Sequence, residues 1–331
     1  MAKGLCFRMA LAGVLLGLWG CGPAEKQDTW LLVSFEKDVP ITYRMDSERE
    51  TVIDLTTSDP AKKSRPQTMT EKLELVVTYT PIDVDPFGLT TLKAYCHSAK
   101  VTRSSFSGKK EEADAMESLA GKEFLLKLSP TGEIADTTDL EKTARQLGEA
   151  AFSTGRENAR IKNPDMICDF LAMQWFLWDA TASVGDPLSM KPGKTWQTKQ
   201  LVPWPVPFYT PPARITDYTL DRIDTTENGA RMAVIASQYK LSEEPMQDFI
   251  RPYEGNFQMR GLFGFLRNYE FKSLEGTGQQ LFNMDKGLIE KDTQEYLLNV
   301  TAGFMLPLGD SLPVLTVKQT IKIERIEKPQ G

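Results

Sequence analysis

Four runs of this chain alternate apolar and polar residues with a period of two, and nothing else in it restricts the architecture as much. They are Leu73 to Tyr79, Phe124 to Leu128, Met232 to Ala236 and Val317 to Ile323. Successive side chains of a strand point to opposite faces, so each run reads as a strand covered on one face and wet on the other. That is the signature of antiparallel sheets, because the strands of a parallel sheet are covered on both faces and read as continuous apolar runs. Turn chemistry lies between the runs. Ser129-Pro130-Thr131-Gly132 fits a type I turn, with proline setting φ at the second position and glycine closing it, and Asp285-Lys286-Gly287 plays the same part later.

Helical patterns concentrate in the middle of the chain. Thr138-Asp139-Leu140-Glu141 has the form of a capping box and opens a helix to about Phe152, with Leu140, Ala144, Leu147 and Ala151 at helical spacing. Asn163-Pro164 opens a second segment to about Ala182, with Asn as cap and Pro in the first turn. Ile167, Phe170, Leu171, Trp175, Leu177 and Trp178 make that segment apolar on more than one side, which predicts a helix buried between layers as a plug for a curved sheet. On that reading, alanine costs most stability at Phe170 and Trp175 and less at one of Phe176 or Trp178. The expected class is α+β, mainly antiparallel β: two curved β meanders or half-barrels with two helices inserted between them. An N-terminal half over 30–182 and a C-terminal half over 194–328 meet at a stretch rich in Gly, Pro and small residues, Ser183 to Gly193. A weak echo at an offset of 155 accompanies this, with Leu119, Gly121, Leu126, Gly132, Ile134 and Thr138 recurring as Leu274, Gly276, Leu281, Gly287, Ile289 and Thr293. Two related halves explain the echo; so does the residue usage that all hairpins share.

The first twenty residues have the layout of an export signal: Lys3 and Arg8 form a basic start, and Met9 to Trp19 an apolar run too short to span a bilayer. Leu18-Trp19-Gly20-Cys21 resembles the lipobox of bacterial lipoproteins, although Trp19 stands where smaller residues are usual. The resemblance implies that residues 1–20 are removed, that Cys21 is acylated and becomes the first mature residue, and that the polar stretch 21–29 is a tether. Gly22, in place of the Asp that retains such proteins at the inner membrane, implies an outer-membrane address. Of 39 Lys and Arg against 45 Asp and Glu, the signal takes only Lys3 and Arg8, leaving 37 basic against 45 acidic residues, a balance of −8. With no basic block long enough to neutralise a run of phosphates, nucleic acid is not an expected partner. Cys96 and Cys168 are the remaining mature cysteines, and an exported protein is able to keep them bonded or free.

Catalytic chemistry is thin. His97 is the single histidine, which removes multi-histidine metal sites, and on a strand it faces away from its neighbour Cys96. Ser107-Gly108-Lys109-Lys110 matches a serine–lysine spacing, but in a polar loop and without companion motifs. Asp83 to Gly88 has the opening of a calcium loop, yet Phe87 occupies a ligand position and the bidentate Glu is missing, so a turn is the better reading. No Gly-rich phosphate loop, Gly-x-Ser-x-Gly or mature Cys-x-x-Cys occurs. No cofactor or metal is expected. Two stretches break the regular pattern. Val202 to Pro212 is stiff and rich in proline and aromatics, reading as an edge strand or packed crossover, or as the rim of an apolar groove or a docking peptide. Phe249 to Phe271 interleaves arginines, aromatics and glycines, reading as a loop and strand covering the core, or as a mobile loop that touches lipid or ligand.

Gly121-Lys122-Glu123-Phe124, Ser129 to Ile134 and Lys191-Pro192-Gly193-Lys194-Thr195-Trp196 resemble uncharacterised bacterial lipoproteins grouped as domains of unknown function. That resemblance brings no catalytic residues with it. The expected role is a non-enzymatic envelope lipoprotein that binds an apolar ligand, a lipid or another envelope protein, with Trp175, Trp178, Trp204 and Phe263 as candidate lining residues. A carboxylate-dependent hydrolase of cell-wall or polysaccharide material and a structural subunit of an envelope complex are the alternatives, since paired carboxylates have no fixed spacing.

Overall fold

In the computed structural model the described residues are 30–54, 66–104, 114–151, 160–161, 165–204, 210–253, 258–259, 261–304 and 313–327. The export signal, Cys21 and its tether, Ser107 to Lys110, the Asn163-Pro164 pair and the middle of the proline-rich run lie outside them. The elements in order are β1 (Ile41–Asp54), β2 (Gln67–Val84), β3 (Thr90–Ser104), a 3-10 turn (Ala115–Leu119), β4 (Glu123–Leu128), β5 (Ile134–Asp136), α1 (Thr138–Ala151), β6 (Arg160–Ile161), α2 (Ile167–Phe176), α3 (Asp179–Ala182), β7 (Thr195–Leu201), β8 (Ala213–Thr225), β9 (Arg231–Leu241), β10 (Gln258–Met259), α4 (Gly261–Phe265), β11 (Leu266–Asn283), β12 (Leu288–Phe304) and β13 (Val314–Ile326).

Eleven of the strands form one open antiparallel sheet in the order β5-β4-β3-β2-β1-β13-β12-β11-β9-β8-β7, while β6 and β10 pair in parallel apart from it. The strands preceding residue 182 and those following residue 194 occupy contiguous parts of the sheet, joined where β1 runs against β13 from Thr42–Ile326 to Asp54–Val314. Alternation builds the buried face as expected: Leu73, Leu75, Val77 and Tyr79 of β2, Phe124, Leu126 and Leu128 of β4, and Leu315, Val317, Ile321 and Ile323 of β13 all point inward. The echo between halves holds at the hairpins, where Gly132 and Gly287 both adopt positive φ, and fails around them. Leu119 ends a 3-10 turn whereas Leu274 lies within β11, and Thr138 starts a helix whereas Thr293 lies within β12.

The helices lie against the buried face. Leu140, Ala144 and Leu147 give α1 its apolar stripe, which packs beside β4. Its cap falls one residue earlier than the sequence suggests. Thr137 Oγ1 donates to Glu141 Oε1 at 3.0 Å, and Asp136 Oδ1 accepts from the Thr138 N–H at 3.0 Å, so Thr138 is already helical. The single helix expected to Ala182 is two: Trp178 N–H bonds to Trp175 O at 2.9 Å, a tighter turn that separates α2 from α3. Here the Trp178 indole wedges among Phe35, Tyr43 and Tyr79, with ring centroids 5.7 to 6.2 Å apart. Side chains of α2 and α3 touch β4 (Phe170 on Phe124), β2 (Gln174 to Tyr79), β1 and β13 (Asp169 to Ser47 and Gln319) and the far edge strand β7 (Asp179 to Gln200). A flat sheet cannot reach one helical segment with strands from both edges, so the sheet curves around it.

Candidate functional site

The helical segment presents two polar environments to the sheet. On one side Arg49, fully buried on β1, donates to Glu71 Oε2 at 2.9 Å and to Asp169 Oδ2 at 3.1 Å. Glu71 also accepts from Arg103 Nε at 2.9 Å, and Arg103 pairs with Asp114. Ser47 and Gln319 close the other oxygen of Asp169 at 2.8 and 3.1 Å. Next to this network Asp165 accepts from the Ile167 N–H at 3.0 Å and from the Tyr253 hydroxyl, and burial, aided by the Asp114 charge, pushes its carboxyl up to about 7. The guanidinium groups of Arg49 and Arg103 are matched to carboxylates within the protein, so this network holds the helix to the sheet, and Gln319 Oε1 is a buried acceptor in it without a hydrogen-bond partner.

The other side opens. A cleft lies between Leu171, Ala172, Trp175 and Phe176 of α2, Asp179 of α3, Lys199 to Leu201 of β7, and Met246, Asp248, Phe249 and Ile250. Its walls are mainly apolar. Its polar end begins at Asp179, where Gln200 Nε2 donates to Oδ2 at 2.5 Å, and burial pushes this carboxyl up to about 6 against the opposing pull of Gln200 and Arg214. Behind the lining, Gln200 Oε1 accepts from Arg214 Nε at 2.8 Å and from Thr216 Oγ1 at 2.6 Å. Arg214 Nη2 donates to Gln294 Oε1 at 2.6 Å, and Gln294 Nε2 donates to Asp292 Oδ2 at 2.7 Å. Burial pushes Asp292 up to about 7. The guanidinium of Arg214 lies 4.4, 4.0 and 5.2 Å from the ring centroids of Phe176, Tyr239 and Tyr296, and its Nη1 has no hydrogen-bond partner. Thus Asp179 and Asp292 terminate a relay of two glutamines and one caged arginine. Gly278 makes room for the cage: a Cβ there would fall 2.1 Å from the Tyr239 hydroxyl.

These buried acids set a pH dependence. Asp165, Asp179 and Asp292 titrate at about 7, 6 and 7 when folded and near 4 when unfolded, so the unfolded chain ionises them more easily. Their contribution to stability is complete below about pH 4 and is lost as pH rises through 6 to 7. Melting is therefore expected at a higher temperature at pH 5 than at pH 8, each kcal/mol lost lowering Tm by about 2–4 °C. Asp292→Asn is expected to flatten that slope. A melting temperature that climbs steadily from pH 5 to pH 8 would contradict the assignment.

Of the aromatic residues singled out by sequence, Trp175 lines the cleft. Trp178 faces the Phe35–Tyr43–Tyr79 cluster instead. Trp204, 2% exposed, packs against Tyr269 and Phe271, and Phe263, 4% exposed, offers its carbonyl to the same Tyr269 hydroxyl at 3.5 Å. Trp204 and Phe263 thus share a neighbour, and the structure does not gather all four residues at one site. Val202 and Trp204 are buried and the Val202 N–H bonds to Pro212 O at 3.0 Å, so the described ends of the proline-rich run form a packed connection between β7 and β8. Phe249, from the arginine- and aromatic-rich stretch, joins the cleft wall. Cys96 and Cys168 are both free. His97 lies on the face opposite buried Cys96, its Nε2 2.7 Å from Thr78 Oγ1. Asp83 to Gly88 is a turn, with Asp85 Oδ1 accepting from the N–H groups of Phe87 and Leu89 at 2.8 Å each. Asp179, Gln200, Arg214 and Asp292 carry no motif and were not singled out by the sequence.

No family model matches the chain, and no curated protein matches it. Among solved structures, one of lipid–protein interactions in lipovitellin aligns with a TM-score of 0.39 at 8% identity, covering 90% of this chain and 26% of that one. This chain therefore spans about a quarter of the length of that chain. The structure of DynF from the dynemicin biosynthesis pathway of Micromonospora chersina aligns with a TM-score of 0.20 at 6% identity, covering 98% and 94%. Similarities at this level carry no argument about function.

Proposed function

We propose that the mature protein is a non-enzymatic lipoprotein of the cell envelope, anchored through Cys21 on the outer membrane, and that the cleft beside α2 binds an apolar ligand. The observation that carries the binding role is the lining itself: Leu171, Ala172, Trp175, Phe176, Leu201 and Phe249 supply apolar walls, and Asp179 and Gln200 supply a small convergent polar end. That combination is what a small-molecule site requires, because apolar walls provide affinity and a few fixed polar groups provide orientation. Two half-barrels meeting at β1 and β13 around α2 are the architecture that would hold such a cleft open at the β7 edge.

The fluorescent apolar reporter N-phenyl-1-naphthylamine is expected to bind saturably at one site and to quench tryptophan emission. Trp175→Ala is expected to weaken it about tenfold, equivalent to about 1.4 kcal/mol. Unchanged affinity in that variant would move the ligand elsewhere. Mass spectrometry of the mature N-terminus is expected to find an acylated cysteine, and a mature chain beginning at another residue would refute the anchor.

One observation favours a second reading. Asp179 and Asp248 line the same cleft, and a carboxyl held near 6 is suited to act as a general acid. Release of soluble fragments from purified peptidoglycan or polysaccharide, abolished by Asp179→Asn, would favour a hydrolase over a binding protein.

A further inference from the structure

The chain enters the described fold at Trp30, nine residues after Cys21, so even an extended tether reaches only roughly 30 Å. Its first described residues run across one end of the sheet. Leu31 N–H donates to Pro187 O at 3.2 Å, Val33 N–H to Pro130 O at 2.8 Å, and Asp38 N–H to Pro81 O at 2.8 Å. These bonds draw together the loop before β7, the β4–β5 hairpin and the β2–β3 turn. On that end stand Trp30, Val39, Ile82, Phe87, Leu89 and Leu188, all exposed, with Phe87 at 86%. Among the described residues, Phe265, the last residue of α4 before β11, and Val314, the first of β13, are also exposed but at the opposite end of the sheet, and Leu125 and Leu297 lie within strands.

The β2–β3 turn is built to display its aromatic tip. Asp85 holds the Phe87 and Leu89 N–H groups, Gly88 N–H bonds back to Asp85 O at 3.0 Å, and Gly88 takes φ +85° where a Cβ would fall 2.8 Å from Pro130 Cγ. The ring is therefore held out by a rigid turn, and little conformational entropy remains to be lost when it is buried against something else. Exposed apolar side chains gathered at the end where the tethered chain enters the fold mark a surface suited to being covered. Glu36, Asp38 and Asp83 outnumber Lys37 among the exposed charges of these segments, so attraction to an anionic surface is not what covers it.

We infer that this end of the sheet rests on the bilayer that holds the Cys21 lipid, with Phe87 and its apolar neighbours inserted among zwitterionic headgroups. Aromatic side chains suit that depth, because the ring is apolar and the surrounding backbone stays wet. The inference rests on the lipoprotein reading and adds an orientation to it: the cleft edge at β7 then stands to the side of the contact, with β2 and β3 upright on the membrane.

The full-length acylated protein, reconstituted in phosphatidylcholine vesicles carrying brominated acyl chains, tests this with an NBD label on Phe87→Cys and, separately, on Val314→Cys at the opposite end. The native thiols interfere little at neutral pH, since burial pushes Cys96 up to about 12 and Cys168 upward as well, and the thiolate is the reactive form. Quenching at position 87 with none at position 314, unchanged by salt, is the expected result. Acylated Cys21 in the mass spectrum with no quenching at position 87 would overturn the orientation while leaving the anchor intact. A blue-shifted label at position 87 that bromolipid does not quench would also overturn it and assign the surface to a protein. A chain without acyl mass would overturn the lipoprotein reading and this inference with it.

Discussion

Arg49→Met is expected to destabilise the protein by about 3–5 kcal/mol, because it leaves buried carboxylates without their counter-charge. Arg49 is fully buried, with Glu71 Oε2 2.8 Å from Nη2 and Asp169 Oδ2 3.1 Å from Nη1. Removing the guanidinium leaves Oδ2 of Asp169 on α2 and Oε2 of Glu71 on β2 without their charged donor, and both groups are buried. Met is unbranched and shorter than Arg, so it introduces no clash and retains the apolar stem of the side chain. The control separates charge from volume: adding Glu71→Gln and Asp169→Asn to Arg49→Met should recover a large share of the loss, because breaking a buried pair costs more than replacing all of its members. Urea melts of the single and triple variants measure this. A loss below about 1 kcal/mol in Arg49→Met would mean that the carboxylates are solvated in the native protein and that the network is not what fastens α2 to β1 and β2.

The same residues explain how far the sequence could be read. Strands whose inward positions are apolar, such as β2 from Leu73 to Tyr79 and β13 from Val317 to Ile323, announced themselves through their period. Strand β1 did not, because its inward positions run Tyr43, Met45, Ser47, Arg49, Thr51 and Ile53, and the polar members of the helix-binding network erase the alternation. In β8 the pattern is blurred. At its start Arg214 and Thr216 face inward while Ile215 is half-exposed, and only Tyr218 and Leu220 further on mark the buried face, so the alternation is lost where the polar relay sits. The polar relay behind the candidate site lies partly on β8. Its arginine, glutamines and aspartates gain meaning only from a register that pairs Leu201 with Ala213 and Thr195 with Thr219, bringing Gln200 beside Arg214 and Thr216. Glycines gave a faint signal: Gly276-x-Gly278 inside a strand marks close approach, here by Tyr296 and Tyr239. The break between α2 and α3 had no local sign, because Leu177 and Trp178 are acceptable helix residues and the indole's ring contacts with Phe35, Tyr43 and Tyr79 are what displace the turn.

The aromatic residues of the helical segment give the second large expected effect, and its distribution differs from the one that helical spacing suggests. Phe170 is fully buried against Phe124 at 5.8 Å between centroids, Phe176 is 1% exposed beneath the Arg214 guanidinium, and Trp178 is 1% exposed in its three-ring cluster. Trp175 is the one that is partly open, on the cleft. Spacing placed Trp175 with Phe170 in the core; the break between α2 and α3 turns Trp178 inward and leaves Trp175 at the rim. Truncation to alanine should therefore cost about 3–5 kcal/mol at Phe170 and Trp178, where a cavity opens among ring neighbours that cannot collapse into it. Phe176→Ala should cost a similar amount and add a signature of its own. It removes one wall of the arginine cage, so the stability slope with pH set by Asp179 and Asp292 should change in Phe176→Ala and stay as it is in Phe170→Ala. Trp175→Ala should cost clearly less, because part of its surface is already exposed on the cleft and less burial is lost with it. Urea melts of the four variants at pH 5 and pH 8 decide the matter. Equal losses at Trp175 and Phe170 would mean that the cleft is closed in solution and that the whole segment is core, leaving no wall there for a ligand to meet.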